Sequence, residues 1–143
     1  AEALGARPLE VWVAAYLIVV LESEAAIRGL KPDIAVLHRI ASASTERGDV
    51  GVAAFADPGQ PFDVVDRFFA PGAGVPEDPA TGSMHCILAP LFADKLGRPK
   101  VRFHQAYPGR GADIETEMKG ERALLRGHAV TVVESRLRLG PGA

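Results

Sequence analysis

Asp78, Thr81, Gly82 and Ser83 bring a carboxylate, two hydroxyls and an unhindered stretch of backbone into the segment Glu77-Asp78-Pro79-Ala80-Thr81-Gly82-Ser83-Met84-His85-Cys86. An apolar helical pattern follows at once, from Ile87 to Leu96. The first four N–H groups of a helix have no partner inside it and carry partial positive charge, so a helix starting here aims its donors at an anion. The same residue types also make ordinary helix caps, and taken alone Asp78, Thr81 and Ser83 fit a cap better than a site. Asp78 has in addition the chemistry to exchange a proton with a bound molecule. Ser83 is not expected to be a nucleophile, because no base is placed in sequence to activate it.

His85 falls on the first turn of that helix, where a core histidine bonded to a neighbouring strand is a plainer reading than an acid–base role. Cys86 is the single cysteine. It reads as a buried, inert thiol, and the lack of a second thiol points to a reducing, cytoplasmic setting. His38, His104 and His128 show no metal-ligand spacing with each other or with Cys86, so no metal is expected. Gly109-Arg110-Gly111 reads as the loop of a hairpin.

The scaffold that must hold these groups is a single domain spanning residues 1–143, with 48% hydrophobic residues to build one core. A formal charge of −2, 6% aromatics and no basic run give no footprint for nucleic acid. Residues 11–21 form the most hydrophobic run. It is shorter than the roughly 20 residues of a membrane-spanning helix, and its Val-Trp-Val and Leu-Ile-Val-Val composition suits one buried strand. With no basic leader before it, neither a signal peptide nor a membrane role is expected. Residues 23–29 and 32–40 read as short connecting helices, Ser23 capping the first, Gly29 ending it and Pro32 suiting the first turn of the second. Strands are expected at 50–55, 64–69, 101–105, 112–118 and 130–139, with a further short one at 123–126. The helix at 84–96 is apolar nearly all round, which predicts enclosure by protein, and strands are its available partners. The expected fold is therefore α+β, a curved sheet about a central helix.

The motif also carries a likeness. Arg67-Phe68-Phe69-Ala70-Pro71, the segment from Glu77 to Cys86, and residues 105–111 together resemble the second half of the PhzF-like phenazine-biosynthesis family, which shares the diaminopimelate epimerase fold. The likeness runs from about residue 4 to residue 139 and is strongest over 67–97. It implies a mostly antiparallel, curved sheet wrapped around one central hydrophobic helix, with two such halves facing each other across a cleft. It also implies an isomerase or epimerase that moves a proton on a small carboxylated metabolite without a cofactor. By the same likeness Asp78 lines the active site, in the place where related epimerases carry one of two catalytic cysteines. Thr81, the backbone of Gly82 and the hydroxyl of Ser83 would contact the substrate carboxylate, with Arg110 and Gly111 as second contributors. Ala112 replaces the second glycine of the family's Arg-Gly-Gly, and Tyr107-Pro108-Gly109 looks inserted. The family's proton-shifting glutamate and a Gly-His pair belong to a first half that nothing in this chain matches.

Three readings follow. The chain is half of such an isomerase, its glutamate coming from a missing N-terminal half or a separate polypeptide. Alternatively it is a homodimeric binder of small anions that sets two copies of the 78–83 loop across one cleft. In the third reading it is a structural domain in which the motif serves only as a cap.

Overall fold

The computed structural model describes residues 1–138 and 140 of the chain. Among these, seven strands form one sheet: β1 (Glu10–Val13), β2 (Leu17–Val20), β3 (Val50–Phe55), β4 (Val64–Phe69), β5 (Lys100–Gln105), β6 (Ala112–Lys119) and β7 (Arg122–Gly127). They lie side by side in chain order. The sheet is mixed: β2 runs parallel to β3 and β4 parallel to β5, while the other neighbours are antiparallel. Each parallel pair needs a crossover, which helices α1 (Glu24–Gly29) and α2 (Ile34–Ser42) supply for the first and α3 (Gly82–Leu96) for the second.

Because β3 and β4 are antiparallel, the two crossovers leave strands that point in opposite directions. Right-handed connections then put their helices on opposite faces of the sheet. The core divides accordingly. Leu17, Val19, Val50, Val52, Ala54, Val65 and Phe69 pack with Ile27, Leu37 and Ala41 of α1 and α2. The alternate residues Ile18, Val20, Ala53, Val64, Phe68, Val101 and Phe103 pack with Met84, Leu88 and Phe92 of α3. Four of the six strand pairs are antiparallel, as the expected mostly antiparallel sheet requires, and the α+β class stands; the wrapping about one central helix is corrected to a mixed sheet with helices on both faces.

Other expectations resolve element by element. The strands at 50–55 and 64–69 form as read. Ser23 caps α1 through a hydrogen bond accepted from the Ala26 N–H. α2 starts later than expected, capped by Asp33, whose carboxylate accepts the Val36 N–H at 3.0 Å. Residues 11–21 are not one buried strand: the chain reverses at Ala14 and Tyr16, leaving β2 buried and β1 largely exposed. No glycine or proline marks that turn. α3 is not enclosed all round, since Met84, His85, Leu88, Ala89 and Phe92 form its buried stripe while Cys86 and Pro90 face outward. Cys86 is therefore an exposed thiol rather than the buried one expected. Residues 130–138 carry no strand pairing and Val130, Val132, Val133 and Leu137 are exposed; Leu139, the end of that expected strand, lies outside the described residues. Among the described residues no helix is long and apolar enough to cross a membrane.

Candidate functional site

The loop from Ala70 to Thr81 is irregular, and buried polar side chains hold it at both ends. Arg67 of β4, only 6% exposed, grips Glu77 with two bonds, Nε to Oε1 at 2.7 Å and Nη2 to Oε2 at 2.9 Å. Its Nη1 donates to the carbonyls of Ile27 and Leu30 at the end of α1, the first of which also accepts the Leu30 N–H, and its guanidinium lies 5.0 Å from the centre of the Phe69 ring. A forked, planar cation is the side chain that can satisfy a carboxylate and two carbonyls together. At the start of the loop, the Gly72 N–H donates to buried Asp49 at 2.8 Å. A Cβ at Gly72 would lie 1.6 Å from the Arg47 carbonyl oxygen. Gly72→Ala is therefore expected to lower stability by about 1–3 kcal/mol or more, as overpacking does, and urea denaturation measures it.

Next to Glu77, Asp78 pairs its N–H with the Phe68 carbonyl at 2.9 Å. Gln105, the last residue of β5 and fully buried, accepts the Thr81 N–H at 2.7 Å and donates to the Asp78 carbonyl at 2.7 Å and the Thr81 hydroxyl at 3.1 Å. The Thr81 hydroxyl in turn donates to the Asp78 carboxylate. Thr81 is the N-cap residue of α3, but its side chain is turned to Asp78 and caps nothing. The amides that begin α3 are consequently without a side-chain cap, and Gly82 and Ser83 are exposed. Ser83 Oγ is 2.8 Å from the hydroxyl of Tyr16, a buried side chain whose ring meets Phe68 edge-on. The plain cap reading of Thr81 and Ser83 is thereby corrected: their hydroxyls have other partners.

Behind the loop, His85 is fully buried, with Nδ1 2.7 Å from the Thr81 carbonyl and Nε2 3.2 Å from Asp66 of β4. The reading of His85 as a core histidine bonded to the sheet holds. Burial opposes a charged ring, but the Asp66 carboxylate and the hydrogen bonds to Asp66 and Thr81 outweigh it and raise the His85 pKa above the ordinary histidine value.

An open cavity of about 880 Å³ lies beside the start of α3, with Pro79, Ala80 and Gly82 on one side and Arg110, Gly111 and His128 among the residues on the other. Gly82, Arg110 and Gly111 thus share one space. Asp78, Thr81 and Ser83 do not line it: Thr81 is buried, Asp78 half-buried against Thr81, and Ser83 turned toward Tyr16. Gly111 has a reason of its own to be glycine, with φ +66° and a would-be Cβ 2.3 Å from the Gln105 carbonyl oxygen. Gly82 has none of that kind, since its added Cβ would meet only Leu125 at an ordinary 3.7 Å. Sequence reading missed Tyr16, Gln105 and Asp66. A signal existed for two of them: Asp66 interrupts an apolar run, and Gln105 falls in phase with buried Val101 and Phe103. Among the described residues, no three His, Cys, Asp or Glu side chains gather to hold a metal ion.

Known proteins resemble this chain, several of them over nearly its whole length. An uncharacterized isomerase of Pseudomonas aeruginosa is 41% identical over 139 residues, 96% of this chain and 50% of the relative, and a second from the same strain is 37% identical over a like share. The phenazine biosynthesis-like domain-containing protein of Homo sapiens is 37% identical over 79 residues, 54% of this chain and 27% of its own. The crystal structure of a PhzF-family phenazine biosynthesis protein from Enterococcus faecalis superposes with a TM-score of 0.75 at 27% identity, covering 89% of this chain and 47% of that one. A PhzC/PhzF protein of Clostridium difficile gives 0.70 at 29%, covering 90% and 49%. The chain spans about half the length of these bacterial relatives. Residues 6–135, which hold the Arg67–Glu77 clamp, the Gln105 brace and the uncapped start of α3, match the profile of the phenazine biosynthesis-like proteins, and this chain belongs to that PhzC-PhzF family.

Proposed function

We propose that this chain forms one wall of the active-site cleft of a cofactor-independent isomerase that moves a proton on a small carboxylated metabolite. The observation that carries the reading is the start of α3, where uncapped amides at Gly82 and Ser83 sit on a loop fixed from behind by Gln105 and His85. Such a terminus favours an anion by typically 0.3–1 kcal/mol per charge beyond direct hydrogen bonds. In this reading the substrate carboxylate bonds to those amides and to the Ser83 hydroxyl, which Tyr16 orients. Arg110 and Gly111 complete the anion contacts from across the cavity. Asp78 exchanges the proton, its side chain oriented by the Thr81 hydroxyl, and the opposing base comes from a second wall outside these residues.

Two exposed apolar surfaces support a second wall. The edge strand β1 presents Val11, Trp12 and Val13 to solvent, with Leu9 exposed just before it, and the strand-patterned residues 130–138 stand unpaired. Open strand edges with apolar side chains call for another strand. The same surfaces favour the alternative of a homodimeric anion-binding domain, which light scattering reads as twice the 15.1 kDa chain mass.

The test is exchange of substrate C–H hydrogen with D2O, followed by mass spectrometry over a panel of small 2-amino and 2-hydroxy acids. It is run with this chain alone and with this chain mixed with the uncovered half of the 41%-identical P. aeruginosa relative, produced as a separate polypeptide. Exchange that needs both supports the reading. Absence of exchange in either, together with no carboxylate binding at Gly82 and Ser83, overturns it.

A further inference from the structure

His85 touches neither solvent nor the cavity, yet both of its ring nitrogens are engaged. The Thr81 carbonyl can only accept, so Nδ1 must donate to it. A neutral ring of that tautomer would turn the Nε2 lone pair toward the Asp66 carboxylate, whereas a doubly protonated ring donates to both. The neighbours agree with a cation there. β4 offers Asp66, β5 offers the uncharged Phe103 ring, its centre 5.0 Å from that of His85, and the fully buried residues Gln105 of β5 and Thr116 of β6 carry no charge. The loop offers Asp78, beyond the Thr81 hydroxyl.

Asp66 supplies an independent observation. Its Oδ1 is buried and has no hydrogen-bond partner among the described residues. A fully buried carboxylate with one oxygen unpaired is destabilising relative to an apolar residue of similar volume. Fold stability alone therefore does not account for an aspartate at this point of β4.

What the pair reaches is the peptide joining Thr81 to Gly82. Its carbonyl accepts from the His85 ring, and its N–H belongs to Gly82, which lines the cavity. Donating to a carbonyl polarises the whole peptide group and makes its N–H a stronger donor. We propose that Asp66 and His85 are positioning residues that hold and polarise the Thr81–Gly82 peptide, so that the Gly82 amide binds a carboxylate most tightly when the His85 ring is protonated. This rests on the anion-binding reading of the Gly82 amide given above.

The experiment is a pH titration from 5 to 10 of 15N-labelled full chain, following the His85 ring and the Gly82 amide by NMR, with acetate titrations at the two ends. The Gly82 amide is expected to shift with the same midpoint as the ring, and acetate affinity to fall on the order of fivefold as the ring deprotonates, the low end for coupled sites. Asp66→Asn, which keeps the histidine, should lower both midpoints together. His85→Gln, whose folding is checked by its melting curve, should bind acetate with no dependence on pH over this range. A ring that titrates while the Gly82 amide stays still overturns the proposal, as does a ring that remains neutral throughout. Co-titration of ring and amide without acetate binding would instead overturn the anion-binding reading and leave the coupling in place.

Discussion

Arg67→Met lowers the free energy of unfolding by about 3–5 kcal/mol, the range for removing one partner of a buried ion pair. The substitution strands Glu77, whose side chain is 13% exposed, together with the Leu30 carbonyl, while the Ile27 carbonyl keeps only the Leu30 N–H. With a urea slope of about 1–3 kcal/mol/M for a small protein, the midpoint moves by at least about 1 M. Arg67→Lys keeps the charge but loses the fork, so it is expected to recover only part of the loss. Urea denaturation followed by circular dichroism measures both. The effect bears on function because Glu77 immediately precedes Asp78, and releasing one frees the approach of the other.

Asp78→Asn is expected to leave the fold in place, since an asparagine side-chain oxygen still accepts the Thr81 hydroxyl. Under the proposed chemistry it removes a proton-exchanging group, for which the loss is about 10²–10⁴-fold in rate. The check pairs solvent-deuterium exchange with a melting curve. A large loss of exchange at unchanged melting temperature separates a chemical role from a loop-holding one. Equal exchange rates for the two proteins would remove Asp78 from the mechanism.

The elements most legible in sequence were those with local punctuation. β3 and β4 are short apolar runs between Pro and Gly turns, and α3 opens on a motif and ends at Gly97 in the left-handed region. The hairpin inside residues 11–21 was hidden because its turn is made of Ala14, Ala15 and Tyr16, residue types equally at home in a strand. The mixed order of the sheet was hidden for a different reason: parallel pairing depends on where a crossover lands, which local pattern does not encode. Residues 130–138 alternate like a strand, and their pattern is satisfied by no neighbour among the described residues. Within the site, Gly82 and Arg110 could be named from the motif and loop. Tyr16 could not, since it lies 67 positions from Ser83 and meets it only through the fold.

The most direct measurement is a titration of the 15N-labelled chain with small 2-hydroxy and 2-amino acids, following amide shifts residue by residue. The expected result is saturable movement centred on the Gly82 and Ser83 amides, extending to Gly111, and abolished when the carboxylate of the ligand is replaced by its neutral amide. Movement confined to surface lysines and arginines, or unchanged by neutralising the ligand, would contradict the assignment of the α3 start as the carboxylate site.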